Sequence, residues 1–425
     1  MTRSAVLALL GSLILELGAA LPTDHMEQTL HFARQAGLAI TENFHPLTRV
    51  QRSHRLTGGP DDYPISSGGV ANLRAVAQQM QYVTQVGIEE ERYYMVVDTG
   101  GADTWIVSEE FQCVDPNSGQ EIAQERCMFG PLYNRDFPDG EICQNLNSTY
   151  NDGEYINGPM GFADITITDV TIPKQQFSIV NLAAWNGDGV SSGLLGLGFR
   201  AATTAYTGEN PRNDSADNLV HYSPIMETLR TSKVADPIFS IAMSREESRS
   251  FIAFGGVPPV RTGEYTTVPI LMETSPRTGI TAYYVYSIEV DAISWNSGTI
   301  YHTETNLPHM FVESGTAVNV FPVNVAAGIN MAYQPSGQLQ DNIWYVPCDA
   351  IPPTLDIVIG GKAFRTTPSS MILPETATEG SNLCLSGIQV GEPNGYLLGI
   401  PFLQEILAVF DVSEKLELSL AQRFD

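Results

Sequence analysis

Two short segments with the same chemical order lie more than two hundred residues apart: Met95-Val96-Val97-Asp98-Thr99-Gly100-Gly101 and Met310-Phe311-Val312-Glu313-Ser314-Gly315-Thr316. Each runs apolar strand, acid, hydroxyl, glycine. An acid ending a buried strand must be hydrogen-bonded or protonated, because burying it bare costs several kcal/mol. The hydroxyl and the glycine backbone that follow supply donors. If two such strand ends face each other across a lobe boundary, their like charges cannot both ionise and one proton is shared. One carboxylate then acts as base toward a water and the other as acid toward a carbonyl oxygen. Asp-Thr-Gly taken alone has a simpler explanation, a turn whose Asp caps nearby amides. The second, similarly flanked acid in the other half is what lifts the pair above that.

A chain of 425 residues, 43% of them hydrophobic, can bury more than one core, since single cores stop growing at roughly 250 to 300 residues. Two lobes are expected, residues 76–245 and 246–425. Short β-branched and aromatic runs (Tyr93 to Val97, Ala163 to Ile172, Phe239 to Ala242, Ser250 to Phe254, Tyr283 to Ile293, Leu355 to Ile359) alternate with Gly, Pro, Asn and Asp clusters. That rhythm predicts an all-β protein of many short strands. Helices are expected only over Ser223 to Thr231 and Pro322 to Met331. Gly255-Gly256 and Gly360-Gly361 read as β-turn glycines, with no helix behind them to cradle a phosphate.

The formal charge of −26, from 48 acidic and 22 basic residues, argues against a nucleic-acid partner, which needs clustered Lys and Arg to replace counterions. An acid-rich, Lys-poor surface suits work below neutral pH, or is simply an acidic extracellular surface. Arg3, the apolar run Ala5 to Leu15 and Gly18-Ala19-Ala20 form a secretory signal over residues 1–20, too short to span a bilayer. No membrane anchor is expected. Five cysteines in an oxidising compartment should mostly pair, with one left free or intermolecular. Asn147 and Asn213 head glycosylation sequons. Residues 21–75 carry Arg34, Arg49, Arg52 and Arg55 with His25, His31, His45 and His54. They read either as a propeptide that pairs with carboxylates at neutral pH and lets go in acid, or as a leader trimmed without inhibitory role. Gly58-Gly59-Pro60 and Ser66-Ser67-Gly68-Gly69 punctuate its end. His221, His302 and His309 lack ligand spacing, so neither a metal nor any other cofactor is expected.

Asp98-Thr99-Gly100 followed by Ala102-Asp103-Thr104-Trp105-Ile106-Val107 resembles the first active-site strand of the pepsin-like aspartic proteases, in their fungal secreted branch. Asn147 to Asp164 resembles the family's flap, with Tyr150 over the substrate, Gly153 in its turn and Trp105 as the tyrosine's partner. Gly193 to Gly198 resembles the apolar run behind the first acid. Trp344 to Cys348, Ile359-Gly360-Gly361, Cys384 to Gln389, Leu397-Leu398-Gly399 and Val409-Phe410-Asp411 follow in the family's order. The resemblance implies a bilobal double β-barrel with a cleft between the lobes, and catalysis by Asp98 and Glu313. It assigns support to Thr99, Gly100, Ser314, Gly315 and Thr316. It also implies the pairs Cys348–Cys384 and Cys113–Cys127, with Cys143 unpaired, and a monomer.

Two departures touch chemistry. The second acid is Glu313 where the family has Asp, and Gly101 stands where it usually has a serine bonded to the first acid. Ser192 and Ile400 replace common aspartates, and Gly87-Ile88-Glu89-Glu90 replaces a Gly-Thr-Pro type turn. Three functions are therefore open: an endopeptidase, full or impaired, acting on an extended polypeptide; a peptide-binding pseudoprotease; or an enzyme recruited to acid/base chemistry on a small-molecule ligand.

Overall fold

The structure, a computed structural model, describes residues 23–51, 80–116, 118–150, 153–258, 260–275, 278–377 and 381–424. The expected signal segment, the glycine-rich punctuation at 58–69 and the expected flap residues Asn151 and Asp152 lie outside the described residues.

Each half is built around an acid-bearing strand beside a leucine strand. In the first, Glu91–Asp98 pairs in parallel with Gly193–Gly196, which sets Asp98 opposite Gly196. In the second, Met310–Val312 pairs in parallel with Leu397–Leu398. A further strand runs antiparallel to each leucine strand, Trp105–Cys113 in the first half and Asn319–Phe321 in the second. The motif repeat in the sequence is thus a repeat of topology.

The first half forms a ten-stranded sheet. Its long hairpin, Tyr155–Ile167 against Val170–Ala184, turns where a single run Ala163 to Ile172 was expected. Thr168 takes a left-handed conformation, φ +56°, and reverses the chain; β-branched composition hides such a turn. In Tyr155–Ile167 the residues Ala163, Ile165 and Ile167 are buried while Asp164 and Thr166 are only partly so. That is the period of two for a strand with one wet face. The expected run Tyr283 to Ile293 is likewise divided, into Thr281–Ile288 and Ala292–Ser297. The two expected helices form as Ile225–Ser232 and Val323–Met331. Gly360 and Gly361, at φ +57° and +76°, make the two-residue turn between Leu355–Ile359 and Lys362–Thr366, a geometry that glycine adopts freely.

A six-stranded sheet is shared between the halves: Ile238–Ala242 lies between Phe251–Phe254 and Ile406–Asp411, Glu417–Arg423 and Thr262–Pro269 follow, and Phe44–Pro46 is the sixth strand, at the edge beside Phe251–Phe254. The seam is the antiparallel pairing of Ile238–Ala242 with Ile406–Asp411. Phe239 and Phe410 stack across it with centroids 4.4 Å apart, and Tyr286 packs edge-on against both. Residues 245 and 246, the expected lobe boundary, fall in the connection of one hairpin within this sheet.

The segment ahead of the first lobe is structured where it is described. A helix, Thr23–Gln35, not anticipated from the sequence, sets Ala33 among Ala242, Val257, Leu407 and Val409. Phe44–Pro46 pairs with Phe251–Phe254 and extends the shared sheet, while Thr48–Gln51 pairs with Met80–Ile88. Two disulfides, Cys113–Cys127 and Cys348–Cys384, agree with the pairing the family resemblance implied. Cys143 is a free, exposed thiol.

Candidate active site

Asp98 and Glu313 are presented by two loops that grip each other. The Thr99 amide donates to Ser314 Oγ at 3.0 Å and the Ser314 amide donates to Thr99 Oγ1 at 3.0 Å. Each hydroxyl passes its own proton across the boundary, Thr99 Oγ1 to the Val312 carbonyl at 3.0 Å and Ser314 Oγ to the Val97 carbonyl at 2.8 Å. Both side chains are completely buried. Small hydroxyl residues follow each acid because they alone both accept from the opposite amide and donate to the opposite strand. At about 1 kcal/mol net for each of the bonds, the grip fixes register more than it adds stability.

The glycines let the acids cross. A β-carbon on Gly100 would lie 2.8 Å from Cδ and Oε1 of Glu313, and one on Gly315 would lie 2.9 Å from Oδ1 of Asp98. Each carboxylate therefore packs on the glycine of the opposite loop. Asp98, 8% exposed, accepts from the Gly100 amide at 2.8 Å. Burial raises its pKa, and the Gly100 and Gly101 amides oppose that shift. Glu313 is tied to its own lobe by its amide, which donates to the Leu398 carbonyl at 3.0 Å. Thr316 is buried and its carbonyl accepts from Ile400.

The hairpin of Glu141–Thr149 and Tyr155–Ile167 brings its tip within reach of the Asp98 charge, which acts on Tyr150. At its tip the Tyr150 amide bonds the Glu154 carbonyl at 2.7 Å, and Gly153 turns at φ +93°. The indole of Trp105 donates to Tyr150 Oη at 2.8 Å. Burial, then the negative charge of Asp103, pushes the Tyr150 phenol well above its ordinary range, so it stays protonated.

Sequence reasoning missed the groups that hold this tip. Trp185 packs edge-on against Trp105 and Tyr150, with centroids 5.2 Å away in each case, and stacks on Phe129. No local motif marks Trp185; only its place after the apolar strand Val170–Ala184 hints at burial. Asp103, quoted only as part of a motif, is a buried carboxylate that accepts from Tyr222 Oη at 2.8 Å and Thr204 Oγ1 at 2.7 Å. Burial raises its pKa against those bonds.

Asn147 lies near the tip of the same hairpin, opposite Asn157, its amide donating to Asp214 at 2.9 Å, whereas Asn213 ends a short exposed turn. Neither carries chemistry in the cleft.

The site is thus two acid loops joined by reciprocal hydroxyls, with a tyrosine-tipped hairpin beside them. The family described as eukaryotic aspartyl protease matches residues 81–423. The chain belongs to that family. A probable aspartic-type endopeptidase of Aspergillus fumigatus is 33% identical over 358 residues, covering 81% of this chain and 79% of that protein. Candidapepsin of Candida tropicalis is 26% identical over 352 residues, covering 79% and 77%. Among solved structures, the aspartic proteinase of Irpex lacteus superposes with a TM-score of 0.59 at 19% identity, over 81% of this chain and 94% of that one, a likeness of fold. The eukaryotic aspartyl proteases cleave polypeptides, so the class of this chain is peptide-bond hydrolase and the cleft is one for a peptide.

Proposed function

We propose that the protein is a secreted endopeptidase acting in acid, with Asp98 and Glu313 sharing one proton and activating one water. The observation that carries the reading is the crossing of the acids: the Thr99 and Ser314 hydroxyls tie the loops, and each carboxylate lies on the other loop's glycine. In this family's established dyad the two carboxyls sit about 3 Å apart around one water. Burial favours the neutral form of Asp98, and facing carboxyls hold one proton between them. The ionised partner takes a proton from the water, and the acid polarises the scissile carbonyl. Tyr150, held protonated, offers a donor above the cleft.

The added methylene of Glu313 moves its carboxylate by roughly 1.5 Å. A misplacement of about 1 Å costs on the order of 100-fold in rate, or about 2.7 kcal/mol of barrier. The expected enzyme is slower than an Asp/Asp relative. Residues 1–20 serve as signal peptide and 21–75 as propeptide, of which 44–51 covers two sheet edges.

The test is cleavage of a denatured protein by the acid-activated protein, with and without a peptide bearing a tetrahedral secondary alcohol at the scissile position. Cleavage blocked by the alcohol supports the reading. Intact folding with no cleavage across the acidic range defeats it. Glu313→Asp should raise kcat by about tenfold or more if the extra length is the impairment.

A further inference from the structure

Glu313 brings a longer side chain into a site where both acids already touch the opposite backbone. Its Cγ, Cδ and Oε1 all come within 2.9 Å of where a β-carbon on Gly100 would stand. The reach of this acid therefore extends onto the loop that carries Asp98. The extra methylene, roughly one C–C bond length or about 1.5 Å of reach, needs room in this site.

The freed volume is at residue 101. A β-carbon there would lie 2.7 Å from Oδ2 of Asp98 and 3.4 Å from its Cγ, and its next neighbour would be Leu194 Cδ2 at 3.8 Å. A carbon and an oxygen at 2.7 Å overlap well inside van der Waals contact, so the Asp98 carboxylate occupies the space that any side chain at 101 would take. The other oxygen, Oδ1, is held by the Gly100 amide at 2.8 Å, and the Gly101 amide also bonds the carboxylate, so the group is anchored with Oδ2 against residue 101. The third residue after the second acid is Thr316, a buried side chain, so the recess exists beside Asp98 and has no counterpart beside Glu313.

We propose that Gly101 is the positioning residue that accommodates Glu313: the absence of a β-carbon lets the Asp98 carboxylate lean away, so that a Glu and an Asp fit around one water. Residues 101 and 313 then act as one unit. This rests on the endopeptidase reading of the dyad, and its test is built to fail separately.

Four proteins make the cycle: the native chain, Gly101→Ala, Glu313→Asp, and the double variant. Alanine tests volume without adding a hydroxyl. For each, kcat and KM on a denatured protein in acid, affinity for the secondary-alcohol peptide, and the thermal midpoint are measured. The loss in kcat caused by Gly101→Ala should be at least about tenfold greater with Glu at 313 than after Glu313→Asp, a coupling of about 1.4 kcal/mol, with KM changed far less. Inhibitor affinity and thermal midpoint should show coupling of the same sign. Equal effects in both backgrounds overturn the proposal. If none of the four cleaves peptides, the endopeptidase reading fails, while the thermal midpoints, which need neither substrate nor inhibitor, still decide whether 101 and 313 are coupled.

Discussion

Asp98 and Asp103 are both carboxylates that burial makes harder to ionise. A carboxyl whose folded pKa lies above its unfolded one, near 3.9 for Asp, stabilises the fold fully below the unfolded value. That contribution is lost as pH rises through the raised folded value. The protein should therefore lose stability on going from acid toward neutral pH. Asp98→Asn should raise the thermal midpoint at neutral pH, with the difference shrinking in acid; a midpoint lowered equally at both would contradict this. The sequons give a second residue-scale prediction. The Asn147 side-chain amide is committed to Asp214 while Asn213 is exposed. Peptide mapping after expression in a glycosylating host should find the glycan on Asn213 and little on Asn147. The acids, hydroxyls and glycines of the site were legible in the sequence because each is demanded by local chemistry. Trp185 and the bonds of Asp103 were not, because their partners come from distant strands.

At the scale of elements, the Tyr150 phenol at the flap tip accepts a hydrogen bond from the Trp105 indole. Replacing Tyr150 by Phe leaves the buried Trp105 N–H without its acceptor, which costs about 1–3 kcal/mol. Hydrogen exchange should quicken at the amides of Tyr150 and Gly153, both bonded within the tip, and unchanged exchange there would refute the dependence. The segment 44–51 gives a pH-dependent counterpart. Burial lowers the His45 pKa and Arg92 adds to this, while Asp169 and a backbone bond at Gln85 oppose it. A histidine with a lowered docked pKa stabilises docking fully above its free value, near 6.5, and loses that contribution as pH falls through the lowered docked value. Acid thus favours release. Arg49 supplies the other hold, donating to Glu375, which Arg245 also approaches at 3.5 Å. Glu375→Gln should weaken docking by about 2 kcal/mol, seen as faster limited proteolysis of residues 44–51 at neutral pH. His45→Asn should flatten the pH dependence of that cleavage. Strand runs were readable by composition, but the turn at Thr168 and the helix Thr23–Gln35 were not. In both, local propensity is weak and packing decides.

At the scale of the molecule, the lobes are joined by a sheet to which both contribute, and one buried cluster that includes Phe239, Tyr286 and Phe410 draws side chains from both. Phe410→Ala should cost about 3–5 kcal/mol and lower the melting of both lobes together in a single calorimetric transition; separate melting of an unchanged lobe would show that the seam does not couple them. The repeat of acid, hydroxyl and glycine, the alternating strands and the turn residues determined by themselves that this chain builds two β lobes with an acid in each. Those features are local, written in spacing and residue type. Only the tertiary structure decided that Thr99 and Ser314 exchange hydrogen bonds and that Asp98 leans into the space at Gly101. It also decided which strands complete the shared sheet, because each of these is a contact between residues far apart in the chain whose geometry no single segment contains.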